Sequence, residues 1–132
     1  MKSVWVVDDD EEMGRAISLF LKLMECEPTL FFGARAAAQA LLAGGRPDLM
    51  ILDINMPEVS GLDLLEFLRR RREFRRLPVI MLSSEAADII IEKALRTGAD
   101  GYVTKPVTLE ELQHVMGETF KKYQKGFEIN VQ

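Results

Sequence analysis

Residues 4–10 of the chain, VWVVDDD, place four apolar side chains directly before three carboxylates. The pattern recurs at residues 49–53, LMILD, where the apolar run ends at Asp53. Short apolar runs bounded by polar residues are typical of strands buried on both faces of a parallel sheet. Side chains at the carboxyl ends of such strands meet in one crevice. These carboxylates are therefore expected at one edge of a sheet, together with Lys105, which follows another short predicted strand.

The composition indicates one globular domain. The chain has 132 residues, of which 48% are hydrophobic, and this is enough for one sizeable core but short for two. Its net charge of −4 excludes the strongly basic footprint that is typical of nucleic-acid binders. The single cysteine, Cys26, cannot form an intramolecular disulfide, and no apolar run reaches the length of about 18 residues typical of a membrane span. No signal-peptide pattern opens the chain, so we expect a soluble cytoplasmic protein without membrane contacts.

The spacing of apolar residues alternates between the periods of strands and helices. We predict strands at residues 3–7, 29–32, 49–53, 78–82 and 101–104, and helices at 11–25, 34–43, 61–72, 85–97 and from Thr108 onward. Such alternation predicts a doubly wound α/β domain, with helices on both faces of a five-stranded parallel sheet. The domain is expected to span residues 1–122, and residues 123–132 are interpreted as a C-terminal tail or the start of a linker.

Several residues predict where helices begin and end. Asp10 is well placed to cap the first helix, and Pro28 is expected to stop it. Thr108 and Glu111 have the spacing of a capping box at the start of the last helix.

Taken together, four motifs point to a known family. They are Val7-Asp8-Asp9, Leu52-Asp53-Ile54-Asn55-Met56-Pro57 with Gly61, Ser83, and Gly101-Tyr102-Val103-Thr104-Lys105-Pro106. Asp53 lies 44 positions after Asp9, 30 before Ser83 and 52 before Lys105. From residue 3 to about residue 122 the chain resembles the receiver domain of two-component response regulators. The resemblance implies a flavodoxin-like fold with strand order 2-1-3-4-5.

The resemblance also implies roles for individual residues. Asp53 would accept a phosphoryl group from a histidine kinase or a phosphotransfer protein. Mg²⁺ would be bound by Asp9, Asp53 and the backbone carbonyl of Asn55, with Asp8 holding metal-bound water. Lys105 and the Ser83 hydroxyl would contact the phosphoryl group, and Tyr102 would act as a switch aromatic. The affected surface, formed by residues 85–97, Tyr102 and the exposed side of 108–122, would then control an output domain or partner protein. For this chain the resemblance implies a monomer or a phosphorylation-dependent dimer.

Elementary electrostatics supports the same site without the resemblance. Three neighbouring carboxylates repel one another, so at least one pKa should rise unless a cation is present. A divalent ion together with Lys105 removes this conflict. An ionised carboxylate such as Asp53 is already a nucleophile and needs no general base.

Two other functions are compatible with parts of the pattern. A Mg²⁺-dependent phosphohydrolase with an aspartyl nucleophile often carries a second aspartate two residues later, and here that position is Asn55. A pseudo-receiver would use the fold only for docking, which the complete set of acidic, hydroxyl and lysine residues argues against. The arginines at positions 69–72, 75 and 76 are interpreted as a solvated helix end that complements the helix dipole, and His114 as a surface residue.

Overall fold

The computed structural model of the chain describes the backbone of residues 1–131 and the side chains of residues 1–123. The strands are β1 (Lys2–Val7), β2 (Cys26–Phe31), β3 (Leu49–Asp53), β4 (Val79–Ser83) and β5 (Gly101–Thr104). The helices are α1 (Glu11–Leu23), α2 (Ala34–Leu42), α3 (Gly61–Arg70), α4 (Asp88–Thr97) and α5 (Leu109–Val131). All strand pairs are parallel, in the order β2-β1-β3-β4-β5. The predicted fold class and strand order are therefore confirmed.

The sheet separates two hydrophobic clusters because alternate residues of each strand point to opposite faces. Val4 and Val6 of β1 pack with apolar residues of α1 and α5, such as Ile17 and Leu112. The other face of β1 packs with residues of α2, α3 and α4. Both faces are covered, which explains why β1, β3 and β4 are almost continuously apolar in sequence.

The turn between α1 and β2 differs from the prediction. Helix α1 ends at Leu23, and Glu25 takes a left-handed conformation with φ of 61°, so the chain reverses before Pro28 is reached. Pro28 lies inside β2, opposite Val4. A proline is tolerated there because β2 is an edge strand and one side of its backbone needs no partner. The prediction that Pro28 stops the helix was wrong.

Helices α3 and α4 are both shorter than predicted. After Arg70 the chain forms a 3₁₀ turn at Arg72–Phe74, which carries the Phe74 side chain into the core at 2% exposure. Helix α4 begins at Asp88 instead of residue 85, because the backbone N–H and C=O of Glu85 are bonded to side chains outside the helix. Both differences involve contacts outside the helix, with the core around Phe74 in one case and with Ser83 and Tyr102 in the other, which periodicity does not encode.

Helix α5 continues without a break from Leu109 to Val131. The segment expected as a tail or linker therefore extends this helix through residue 131, and Gln132 lies outside the described residues. The Glu111 amide donates to Thr108 Oγ1 at 3.1 Å, which is one half of the predicted capping box. Among the described residues, no helix combines the length and apolar character needed to cross a bilayer.

Candidate functional site

Four strand ends place the predicted site residues at one edge of the sheet. Asp8 directly follows β1, Asp53 is the last residue of β3, Ser83 is the last residue of β4 and Lys105 directly follows β5. Parallel pairing aligns these ends, with Asp53 opposite Leu82 and Ser83 opposite Thr104. The structure thus brings together residues that are separated by up to 97 positions in the sequence.

Three carboxylates form the centre of this edge. One oxygen from each of Asp8, Asp9 and Asp53 lies within 4.8 Å of the others. Asp8 and Asp53 are 0% and 2% exposed, whereas Asp9 faces solvent. Negative charge is therefore concentrated where water can solvate only part of it.

Lys105 is the cation that faces these carboxylates. Its Nζ atom lies 3.3 Å from Asp8 Oδ2 and 3.5 Å from Asp53 Oδ2. Burial and the Asp8 charge raise the pKa of the Asp53 carboxyl to about 6, although Lys105 opposes this shift. Burial lowers the pKa of Lys105, but the charges of Asp53 and Asp8 outweigh it, and the pKa is raised overall. One ammonium therefore relieves the repulsion between the buried carboxylates only in part.

The donor set fits a hard divalent cation. Asp8 Oδ2 is buried and accepts no hydrogen bond from the described residues, although the Lys105 ammonium lies at ion-pair distance. A buried oxygen in this state is expected to have a further partner. The three carboxylates offer oxygen ligands only, which suits Mg²⁺.

Ser83 and Tyr102 are connected through the backbone of Glu85. The Glu85 amide donates to Ser83 Oγ at 3.0 Å, and the Tyr102 hydroxyl donates to the Glu85 carbonyl at 2.8 Å. Ser83 is fully buried beside the carboxylate edge, whereas Tyr102 is half-buried on β5. The loop that precedes α4 is thus bonded at one residue to both side chains.

Comparison with known proteins decides the family. The response regulator receiver domain profile matches residues 4–116. The chain belongs to the response regulator receiver domain family. It is the receiver domain of a two-component signalling system.

Individual relatives agree with this assignment. The receiver is 32% identical over 119 residues to the chemotaxis protein CheY of Pseudomonas aeruginosa, covering 90% of this chain and 96% of that protein. It is 38% identical over 117 residues to the phosphate regulon transcriptional regulatory protein PhoB of Rhizobium meliloti, covering 85% of this chain but 49% of PhoB. The Mn²⁺-bound response regulator Rcp1 has the same fold, with a TM-score of 0.75, 25% identity and coverage of 89% of this chain and 91% of that one.

Two backbone amides, those of Asp10 and Asn55, position carboxylates of the receiver site. Asp10 caps α1 as predicted, because its Oδ1 accepts from the Met13 amide at 3.2 Å. Its own amide donates to Asp8 Oδ1 at 2.9 Å, so it also fixes the buried carboxylate. The Asn55 amide donates to Asp53 Oδ1 at 3.3 Å. Helix capping and carboxylate orientation are therefore coupled through Asp10 at the end of β1, whereas at the end of β3 the Asn55 amide orients Asp53 without capping a helix.

The contribution of the Glu85 backbone was not predicted. Its amide and carbonyl groups are present in every non-proline residue, so the residue type carries no signal for them. The spacing of two residues after Ser83 is the only sequence feature that relates Glu85 to the site.

Proposed function

We propose that this receiver is a phosphorylatable switch in which Asp53 accepts a phosphoryl group from a phosphohistidine. The observation that carries the proposal is the cluster of Asp8, Asp9 and Asp53 beside Lys105 at one sheet edge. An Asp53 oxygen attacks phosphorus, an O–P bond forms, and the P–N bond of the phosphohistidine breaks with its electron pair returning to the imidazole. The product is an aspartyl phosphate.

The chain's own groups supply positioning and charge for this transfer. The hydrogen bond from the Asn55 amide and the packing of β3 hold the Asp53 carboxylate in place. Lys105, which lies 3.5 Å from Asp53, provides a positive charge for the oxygens on which negative charge accumulates. Asp53 reacts in its ionised form, which the Lys105 charge favours.

Mg²⁺ is the proposed cofactor. Asp8, Asp9, Asp53 and the backbone carbonyl of Asn55 would hold it, and the bound ion would neutralise charge on the transferring phosphoryl oxygens. The orphaned Asp8 Oδ2 and the all-oxygen donor set support this assignment. The Mn²⁺-bound state of the neighbouring Rcp1 supports a divalent cation in this fold.

The proposed switch runs from Ser83 to Tyr102. A new phosphoryl group adds about −1.5 to −2 charge and attracts nearby donors. If the Ser83 hydroxyl turns toward it, the bond from the Glu85 amide is lost or redirected. The Glu85 carbonyl and Tyr102 then move as well, because the Tyr102 hydroxyl donates a hydrogen bond to that carbonyl. The surface formed by α4, β5 and α5 changes through these differential contacts.

The proposal includes partners of two kinds. A histidine kinase or phosphotransfer protein supplies the phosphoryl group, and an output domain or partner protein reads the surface. The PhoB relative is about twice as long as the matched region, which supports an output domain as one possibility. A cytoplasmic location accords with a kinase that uses ATP. The oligomeric state is proposed to be monomeric or to become dimeric on phosphorylation.

Phosphorylation by a small donor tests the central step. With Mg²⁺ and acetyl phosphate, the wild-type chain is expected to gain one acid-stable, base-labile phosphoryl group, detected by intact mass. Asp53→Asn removes the nucleophile and should gain none. Asp10→Asn is a matched control, because asparagine also caps helices and should preserve phosphorylation. Addition of beryllofluoride should change hydrogen exchange in residues 84–102 of the wild type and of Asp10→Asn, but not of Asp53→Asn.

The alternatives give different outcomes. Steady release of phosphate from an ester, without an accumulated adduct, would indicate a phosphohydrolase. A wild-type chain that neither binds Mg²⁺ nor becomes phosphorylated would indicate a docking module. Equal labelling of wild type and Asp53→Asn would refute Asp53 as the acceptor.

A further inference from the structure

We propose that the end of α3 and the following 3₁₀ turn form a docking surface for an acidic segment of a partner protein. This arginine surface consists of Arg70, Arg71, Arg72, Arg75 and Arg76. It precedes β4 in the chain and therefore lies at the amino-terminal ends of the strands, whereas Asp53 lies at their carboxyl ends. The inference goes beyond phosphoryl transfer and does not depend on it.

The charge of this segment is opposite to that of the rest of the chain. Residues 69–76 contain six arginines and one glutamate, a net charge of +5. Because the whole chain carries −4, the remaining residues together carry −9. A helix dipole needs only one or two cations in the last turn of α3, so it does not account for arginines at positions 72, 75 and 76.

Three of the five arginines of this surface form no ion pair with the side chains that the structure describes. Arg69 is internal, with its side chain 14% exposed and paired with Asp100. Arg70 pairs with Glu66 at 2.6 Å and Arg71 with Glu73 at 3.1 Å, both on the surface. Arg72, Arg75 and Arg76 are exposed and form no ion pair with the side chains of residues 1–123. A carboxylate-bearing partner would therefore meet three cations free to pair with it.

Two hollows at the arginine surface offer apolar contacts beside the charges. One, of about 340 Å³, is lined by Phe67, Arg70 and Arg71 with two acidic residues. The other, of about 330 Å³, has Arg46 and Arg76 beside the partly exposed Leu77 and Pro78, and its lining also includes Asp48, Glu73 and the buried Phe74. The Arg71 guanidinium lies 5.4 Å from the Phe67 ring centre, and its buried Nε has no hydrogen-bond acceptor among the described residues. The surface can thus take both a carboxylate and an apolar side chain.

These features favour an acidic protein segment over nucleic acid. Guanidinium groups match carboxylates in a two-bond geometry. Duplex DNA carries one charge per about 1.7 Å along its axis and needs an extended basic footprint. Here the basic segment is eight residues long, and a remainder carrying −9 would repel a long polyanion. A short segment that alternates Asp or Glu with apolar residues fits both the cations and the hollows.

A synthetic peptide of alternating glutamate and leucine is the probe for this surface. Fluorescence anisotropy should show binding to the wild-type chain that weakens with salt. The Arg72→Glu, Arg75→Glu, Arg76→Glu triple variant should bind at least about tenfold more weakly, because rim charges govern encounter and salt dependence. The matched control reverses three other exposed cations, Arg15→Glu, Lys22→Glu and Lys93→Glu, and should lose less than about twofold.

Further measurements distinguish specific binding at the arginine surface from general charge attraction. The triple variant should keep the circular dichroism spectrum and the urea midpoint of the wild type, which shows an intact fold; if the variant is unfolded, Arg72→Gln, Arg75→Gln, Arg76→Gln replaces it. Equal losses in the two charge-reversal variants, or equal binding of a glutamine–leucine peptide, would overturn the proposal. Tighter binding of a short DNA duplex than of the acidic peptide would assign the surface to nucleic acid instead.

Discussion

Asp53 is 2% exposed, and its carboxyl group shares the Lys105 ammonium with the Asp8 carboxylate, at 3.5 Å and 3.3 Å respectively. Burial is the main reason that its pKa is raised to about 6, and Asp8 adds to the shift. The negative charge that Asp53 needs as the proposed phosphoacceptor is therefore unfavourable in the folded domain without a metal. At the residue scale, reactivity and stability oppose each other.

Replacing Asp53 should stabilise the metal-free domain near neutral pH. Since the pKa of Asp53 is about 6 when folded and 3.8 in its usual range, the folded state binds the proton more tightly. The free energy of unfolding then falls as pH rises from about 4 to about 6 and stays lower above that. Asp53→Asn removes this loss and should raise the free energy of unfolding by about 1–3 kcal/mol at pH 7.5 without Mg²⁺.

Urea unfolding at pH 7.5 and at pH 3.5 measures this difference. Most of the gain should be lost at pH 3.5, because the carboxyl is then protonated in the folded state and largely protonated in the unfolded state. Glu12→Gln, at an exposed position, should be neutral at both values. A wild type more stable than Asp53→Asn at pH 7.5 would mean that Lys105 overcompensates the buried charge.

Among the elements, α3 shows how a helix start shapes the site. Ser60 and Asp63 form a reciprocal capping box, and the Gly61 amide donates to the Ile54 carbonyl at 3.0 Å. A Cβ on Gly61 would lie 2.8 Å from the Asp53 carbonyl carbon and closer still to its oxygen. Only glycine lets the first turn of α3 approach the end of β3 this closely.

Gly61→Ala is expected to destabilise the domain and to displace Asp53, the proposed phosphoacceptor. The added Cβ would overlap backbone atoms, which cannot move aside as a flexible side chain could. The free energy of unfolding should therefore fall by about 1–3 kcal/mol. Phosphorylation by acetyl phosphate should slow because β3 must shift. Gly117→Ala is the matched control, because its Cβ would meet no atom within 4 Å. Alanine favours a helix more than glycine does, so this change inside α5 should raise the free energy of unfolding by up to about 1 kcal/mol. Similar unfolding free energies for the two variants would rule out the steric argument.

Across the whole molecule, Asp100 connects elements that lie far apart in the sequence. Its side chain is 3% exposed and accepts from Arg69 at 3.2 Å, the Val79 amide at 2.9 Å, Lys122 at 2.7 Å and the Tyr123 hydroxyl at 3.0 Å. Burial and Asp100 raise the pKa of Tyr123 to about 12, so this hydroxyl stays protonated as a donor. The network joins α3, β4 and α5 at the edge opposite the carboxylate cluster.

Asp100→Asn should loosen this edge of the molecule. The change leaves the Arg69 guanidinium without its buried counter-charge, and the free energy of unfolding should fall by about 2–4 kcal/mol. Hydrogen exchange should increase at the start of β4 and in α5 near residue 122. Asp88→Asn, at an exposed position in α4, should change neither quantity. Unchanged exchange in α5 with a normal unfolding free energy would show that apolar packing alone holds the helix.

Much of the fold and site could be predicted because they depend on local patterns. Apolar runs placed β1, β3 and β4, alternation with helical periods set the fold class, and acidic residues at strand ends located the cluster. The end of α1 and the start of α4 could not be predicted in this way. The first depends on a left-handed residue at Glu25, and the second on backbone bonds to Ser83 and Tyr102.

By itself, the sequence determined the order of strands and helices and the residues that gather at the carboxyl edge, because period and strand-end position are local properties. Only the tertiary structure decided which of these carboxylates are buried away from water. It also decided that Ser83 and Tyr102 are linked by hydrogen bonds through the Glu85 backbone. It likewise decided that Arg69 is internal while Arg72, Arg75 and Arg76 remain on the surface. Burial and hydrogen-bond partners depend on which distant segments pack together, and no local pattern carries that information.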